Sequence, residues 1–451
     1  MTKRFPRFIR RSSRFYRGAK AGLLIWVLCA ICVIGGSAPA RAAVQVETGT
    51  FVLNTGSATT TVTTGFQGKA VILFTHGKTG LTETAGASWS IGISDGTNLR
   101  CFSWSGDDAV ATTNVGRGYR TAHALEVFTN GTPTNAGEAS GVAFNATPNM
   151  VITWTSTPGA AYEVSYILFG GADITNVAVG DTSLPAGAGT LNVTSPGFQG
   201  NFLFTIFGHR PDSDTEPNVH VGIGAATGAT KRWAWSCGAT DGANTSGTVY
   251  GKSKLRNDVV LTSQNTIGED DAAADFTQWT SSGFDLNVTQ TQSGLKLAHL
   301  VIKGGQWDVG TQAKPSSAAT QTVTGMAFQP KLLGYLLSSP TALNTYTANA
   351  VSTFGAATSA SARAYAGSYH NDAINTVAKS AGSNALMSHE MNATANMDFT
   401  SFNADGWTGT WSASGTAFLS GWFAATDNAA AGGSKATISG AGSVSGAGQI
   451  N

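Results

Sequence analysis

The stretch Gly65-Phe66-Gln67-Gly68-Lys69-Ala70-Val71-Ile72-Leu73-Phe74 decides the fold, because its pattern comes three times. A glycine–phenylalanine–glutamine corner leads into an apolar run. It recurs as Gly197-Phe198-Gln199 before Phe202-Leu203-Phe204. It returns as Ala327-Phe328-Gln329 before Leu332-Leu333-Gly334-Tyr335-Leu336. The spacing is about 130 residues each time. That is too long for a solenoid unit of roughly 20–50 residues and right for a whole small domain.

Around the corners the pattern has a period of two. Met150, Ile152 and Trp154 alternate with Val151 and Thr153; Phe284, Leu286 and Val288 alternate with Asp285 and Asn287; Trp407 and Trp411 flank Gly409 at the same place in the third copy. Such alternation, bounded by Gly, Asn, Asp and Pro, reads as half-buried strand. Each copy closes on an apolar run, Tyr166-Ile167-Leu168-Phe169, Leu300-Val301-Ile302 or Phe418-Leu419-Ser420-Gly421-Trp422-Phe423. Eight or nine strands per copy are expected. One sheet of that length would leave an apolar face and two edges bare, which two packed sheets avoid. The sequence therefore predicts an all-β protein of three tandem β-sandwich, jelly-roll-like repeats over 43–178, 179–310 and 311–427. They pack either as beads or around a pseudo-threefold axis. Residues 428–451, rich in Gly, Ala and Ser, read as a flexible tail.

Residues 1–42 read as a secretory signal. Eight basic side chains lie between Lys3 and Lys20, an apolar core runs from Leu23 to Ile34, and Ala40-Arg41-Ala42 is a small-x-small cleavage site. The apolar stretch, about 16 residues, is short of the roughly 20 that span a bilayer. The expected location is extracellular or on a bacterial cell surface, with the periplasm as the alternative, and with no membrane contact after cleavage. The leader holds nine of the 27 Lys and Arg and none of the 26 Asp and Glu. Without it, 18 basic residues face 26 acidic ones, a net charge of −8. An acidic chain without clustered Lys and Arg is not built to bind nucleic acid. Two cysteines remain beyond the leader, Cys101 and Cys237. The repeats align Cys101 with Trp233. Either one bridge joins two domains or both thiols are unpaired.

Phe328-Gln329-Pro330-Lys331 and Phe66-Gln67-Gly68-Lys69, with the later segments Asn403-Ala404-Asp405-Gly406-Trp407-Thr408-Gly409-Thr410-Trp411 and Ser281-Ser282-Gly283-Phe284-Asp285-Leu286-Asn287, resemble secreted and phage-encoded tandem β-domain proteins with GFQPK-like corners. The tail segment Ala436-Thr437-Ile438-Ser439-Gly440 is similar to segments of virion-associated proteins. The resemblance covers most of 45–425. It implies a structural or surface role and carries over no catalytic residue. The signal sequence departs from a virion protein and favours a bacterial exported one.

Motifs with chemical meaning read mostly as ordinary strand and loop. Gly251-Lys252-Ser253 lacks the upstream glycine of a phosphate loop, and His389-Glu390 lacks the second histidine of a zinc-protease helix. The histidines share no repeat position. Asp212-Ser213-Asp214-Thr215-Glu216, Glu269-Asp270-Asp271 and the weaker Asp107-Asp108 are read as loop carboxylates. Calcium is the one cofactor they leave open, because hard cations take several loop oxygens. One arginine recurs in every copy: Arg100, Arg232 and Arg363. It is either a repeated surface contact or a strand-face brace paired with a carboxylate or stacked on Trp104, Trp235 or Tyr365; the brace is preferred. No catalytic constellation stands out. The expected function is an exported, non-enzymatic structural or surface-interaction protein, an extracellular or virion-like assembly subunit whose partners are copies of itself or a cell-surface glycan. A multivalent carbohydrate-binding protein, using exposed tryptophans, is the alternative, and a secreted hydrolase the third.

Overall fold

The computed structural model describes residues 43–428, apart from 78, 81–83, 111, 129–134, 209–212, 243–250, 266–267, 293, 371–376, 383–387, 390–394 and 413–414. The expected leader and all but the first residue of the expected tail lie outside the described residues. Among the described residues there is no helix. Thirty-three strands form six antiparallel sheets.

The strands fall into three sets of eleven. The first is β1 (Gln45–Val52), β2 (Thr59–Thr63), β3 (Gly68–Thr75), β4 (Thr84–Ala85), β5 (Ala87–Ser94), β6 (Leu99–Gly106), β7 (Val115–Arg120), β8 (Leu125–Phe128), β9 (Asn135–Asn145), β10 (Asn149–Ser156) and β11 (Glu163–Gly170). The second is β12 (Asn176–Ser183), β13 (Gly189–Val193), β14 (Phe202–Gly208), β15 (Ser213–Pro217), β16 (Val219–Gly228), β17 (Lys231–Ala239), β18 (Gly251–Arg256), β19 (Leu261–Gln264), β20 (Asp270–Thr280), β21 (Gly283–Gln290) and β22 (Lys296–Lys303). The third is β23 (Gln306–Ala313), β24 (Ala319–Val323), β25 (Leu332–Ser338), β26 (Thr347–Ala348), β27 (Ala350–Ala357), β28 (Arg363–His370), β29 (Val377–Gly382), β30 (Ser388–His389), β31 (Asn396–Asn403), β32 (Gly406–Trp411) and β33 (Leu419–Thr426). Two boundaries move from their expected places: 178/179 falls inside β12 and 310/311 inside β23, and the crossovers lie just before these strands.

In copy 1, β1-β11-β3-β5-β6-β7 make the larger sheet and β2-β10-β9-β8 the smaller; copies 2 and 3 repeat this order. The first strands of a copy lie beside its last, β1 on β11 and β2 on β10. Between them, β5-β6-β7 and β8-β9-β10 are plain meanders.

The burial pattern explains two kinds of sequence. On β10, Met150, Ile152 and Trp154 are buried while Thr153 and Thr155 are exposed, so the smaller sheet has one wet face. On β3 both faces are buried. Val71 and Leu73 join Met150, Ile152 and Trp154 in a cluster between the two sheets of copy 1. Ala70, Ile72 and Phe74 join a second cluster, shared by all three copies. A strand covered on both sides needs a continuous apolar run, and the corner motif leads into one.

Aromatic contacts between copies run through the shared cluster. Phe74 meets Phe354 edge-on at 5.0 Å, Trp89 meets Trp235 at 5.7 Å, and Phe202 stacks on Trp307 at 4.2 Å. Such pairs contribute about 0.5–1.5 kcal/mol beyond the area they bury.

A cyclic exchange of strands joins the copies further. β15 of copy 2 pairs with β7 of copy 1, β26 of copy 3 pairs with β18 of copy 2, and β4 of copy 1 pairs with β29 of copy 3. Each larger sheet thus gains a seventh strand from another copy, and the exchange closes into a ring. The residue after each donated strand is left-handed: Gly86 (φ 78°), Asn218 (φ 65°) and Asn349 (φ 72°). Gly and Asn are the residues that adopt this conformation most readily. All three copies belong to one compact unit that begins at Ala43.

The corner motif also fastens the crossovers. Lys69 Nζ donates to the carbonyls of Gly171 (2.9 Å) and Ile174 (2.6 Å), where copy 1 passes into copy 2. At the same place in copy 2, Asn201 Oδ1 accepts the Gly304 N–H at 2.7 Å. In copy 3, Lys331 Nζ binds Asp427 Oδ2 at 2.6 Å. Gln67 and Gln329 tie the corner to the smaller sheet by donating to the carbonyls of Phe144 (3.2 Å) and Phe402 (3.1 Å).

Candidate functional site

The three arginines expected to be equivalent are not. Strand register matches Leu99, Arg232 and Arg363, which face Ser94, Ala226 and Ala357 at the mouths of matching hairpins. Four residues, 95–98, separate the paired positions in copy 1, against five, 227–231 and 358–362, in copies 2 and 3. Arg100 therefore sits one position on, and a one-residue slip moves a side chain to the opposite face. Arg232 reaches Asp275 of β20 (Nη2–Oδ2 3.0 Å) and the Asp258 carbonyl at 2.9 Å. Arg363 reaches Asp398 of β31 at 2.5 Å and the Phe399 carbonyl at 2.9 Å. Burial pushes both carboxyls up in spite of the guanidinium. Arg100 crosses into copy 2 and binds Asp181 of β12 at 2.6 Å. The arginines form no common surface patch.

The acidic runs also change character. Ser213–Pro217 is the donated strand β15 and not a loop. Asp270 opens β20 and is engaged by Lys254 (2.8 Å), Arg256 (3.0 Å) and the hydroxyl of Tyr346. Lys254 Nζ also lies 4.5 Å over the Tyr346 ring, so this cluster locks the β26 segment onto copy 2. Among the described residues, no group of three or more His, Cys, Asp or Glu is arranged to hold a metal ion. Gly251-Lys252-Ser253 opens strand β18, and His389 lies in β30.

Cys101 and Cys237 are buried and unbridged, and burial pushes the Cys237 thiol up, away from the reactive thiolate. By strand register Cys101 matches Ala234, not Trp233. Ten tryptophans follow position 42, and not one is exposed. Sugar binding through flat exposed indoles has no tryptophan to use.

What remains is a difference among the three junctions. In each, the hairpin β5–β6, β16–β17 or β27–β28 leans on the first strand of the next copy. Between copies 1 and 2, Asp95 Oδ2 accepts the Val179 N–H at 2.8 Å beside the Arg100–Asp181 pair. Between copies 2 and 3, Lys231 Nζ binds Asp308 at 2.8 Å. At the closing junction, copy 3 on copy 1, the hairpin reads Thr358-Ser359-Ala360-Ser361-Ala362. An open groove of about 570 Å³ lies there.

The groove is built from both copies. Its copy-1 side is the start of the chain's first strand, with exposed Gln45 and half-buried Val46, and the corner ring Phe66. Its copy-3 side is Thr358, Ser359, the ring of Phe402 and the corner Gln329-Pro330-Lys331. Lys331 is the one ionisable residue of the lining, and Asp427 neutralises it at 2.6 Å. Asp427 also accepts the Val44 N–H at 2.8 Å, which pins the strand that forms the groove. The rest of the lining offers rings, amides and hydroxyls. Sequence reading found the two corners as structural markers and missed the groove. The signal was present: Thr358 stands where copy 1 carries Asp95, and Ala362 where copy 2 carries Lys231.

No family model matches this chain, and no curated protein matches it.

Proposed function

We propose that the chain is an exported, non-enzymatic structural or surface-interaction protein, an extracellular or virion-like assembly subunit. The observation that carries this reading is the closed ring of donated strands. Three copies are tied into one compact unit, and the three arginines read as a repeated contact each pair with a carboxylate in it. Arg100–Asp181 and Lys231–Asp308 join copies, and Arg232–Asp275 and Arg363–Asp398 join sheets. A unit of this kind suits a protein that presents surfaces rather than one that closes around a substrate. No described helix is long and apolar enough to cross a membrane.

The test is expression in an export-competent bacterium, with the mature N-terminus sequenced and the surface probed with protease on intact cells. The expected result is a chain beginning at Ala43 that is outside the cytoplasm and assembles or adheres. Retention in the cytoplasm, or turnover of a panel of glycan and peptide substrates, would overturn the reading.

A further inference from the structure

We propose that the groove at the closing junction binds a neutral oligosaccharide, so that the chain carries one glycan site and not three. This rests on the surface-interaction reading and names the partner class for it. The argument starts from what closes the other junctions. Asp95, Arg100 and Asp181 bridge the first, and Lys231 and Asp308 bridge the second. At the third, Thr358 stands where copy 1 has Asp95 and Ala362 where copy 2 has Lys231, and an open groove of about 570 Å³ lies there, within the usual range of small-ligand sites.

Its chemistry is selective. The rings of Phe66 and Phe402 are half-exposed, which gives apolar faces for the C–H side of a sugar ring. Gln45 is exposed at the rim. Gln329 donates to the Phe402 carbonyl, which fixes its amide and leaves the carbonyl oxygen as an acceptor. The Thr358 and Ser359 hydroxyls both donate and accept. A polyhydroxylated ligand can satisfy all of these groups. A charged one is disfavoured, because the single cation of the lining is already paired with Asp427.

The experiment is an array of neutral and acidic oligosaccharides probed with the full chain, followed by titration calorimetry on the best binder. Saturable binding of a neutral glycan at one site per chain is expected. Gln45→Ala should weaken it about tenfold, the scale of one lost hydrogen bond. Ser359→Trp should abolish it by filling the groove, with the melting temperature unchanged. Thr320→Ala, on the wet face of β24, should leave it unchanged. Three sites per chain, binding that survives Ser359→Trp, selection of acidic glycans only, or no saturable binding would each overturn the proposal. An exported, adhering chain that binds no glycan would sink the groove ligand and leave the structural reading standing.

Discussion

Glu126 is fully buried between the sheets of copy 1, where the register puts Thr262 in copy 2. Arg120 holds it at 3.0 Å and Ser103 donates to it at 2.7 Å, yet burial outweighs both and raises its carboxyl to about 7. The folded chain then binds more protons than the unfolded one between pH 4.5 and 7. Stability from this group is full below that window and falls as pH rises through it. Glu126→Gln should therefore gain on the natural chain by roughly 3 kcal/mol between pH 4.5 and 7, read by urea unfolding at several pH values. A difference that stays flat with pH would refute the burial argument. The register makes a second prediction. Copy 1 has Leu99 and Gly141 where copy 2 has Arg232 and Asp275. Arg232→Ala should cost about 1–3 kcal/mol by stranding Asp275. The pair Arg232→Leu with Asp275→Gly, which copies the solution already used in copy 1, should recover most of that loss in thermal melts. The arginine match was misread in the sequence because it followed a residue type across copies. What decides the face is the number of residues between the paired positions, and copy 1 has one fewer.

At the scale of the element, legibility followed burial. The run after each corner and the alternating strand were readable because each face has one environment throughout. β4 and β26 are two residues long, too short for any period, and their partners lie in other copies. Nothing local in the sequence could announce them. The one local trace is the residue that follows, Gly86, Asn218 or Asn349, and it makes no pattern until the backbone shows that all three are left-handed. Asn349→Gly should be close to neutral. Asn349→Val should cost about 1–2 kcal/mol, because a β-branched side chain resists positive φ. It should also loosen β26 from β18, seen as faster amide exchange at Lys252 and Ser253. Equal stability of the two variants would mean that the turn does not hold the donated strand.

At the scale of the molecule, the ring predicts how the chain unfolds. Beads on a string would melt one by one, each with its own cluster between two sheets. Here each larger sheet has its second face on the shared cluster, and Phe74, Phe204 and Phe354 come to that cluster from three different copies. A copy on its own would expose that face, lack its seventh strand and leave an open sheet edge to aggregate. Calorimetry on the full chain should give a single transition whose calorimetric and van't Hoff enthalpies agree, although the chain is the size of three domains. Residues 172–304 expressed alone should self-associate or fail to fold. Co-expression of that fragment with the two flanking ones should restore a 1:1:1 complex through the same donated strands. Three separate transitions, or a monomeric, cooperatively folded middle copy, would show that the exchanged strands and the shared aromatic cluster contribute little to holding the copies together.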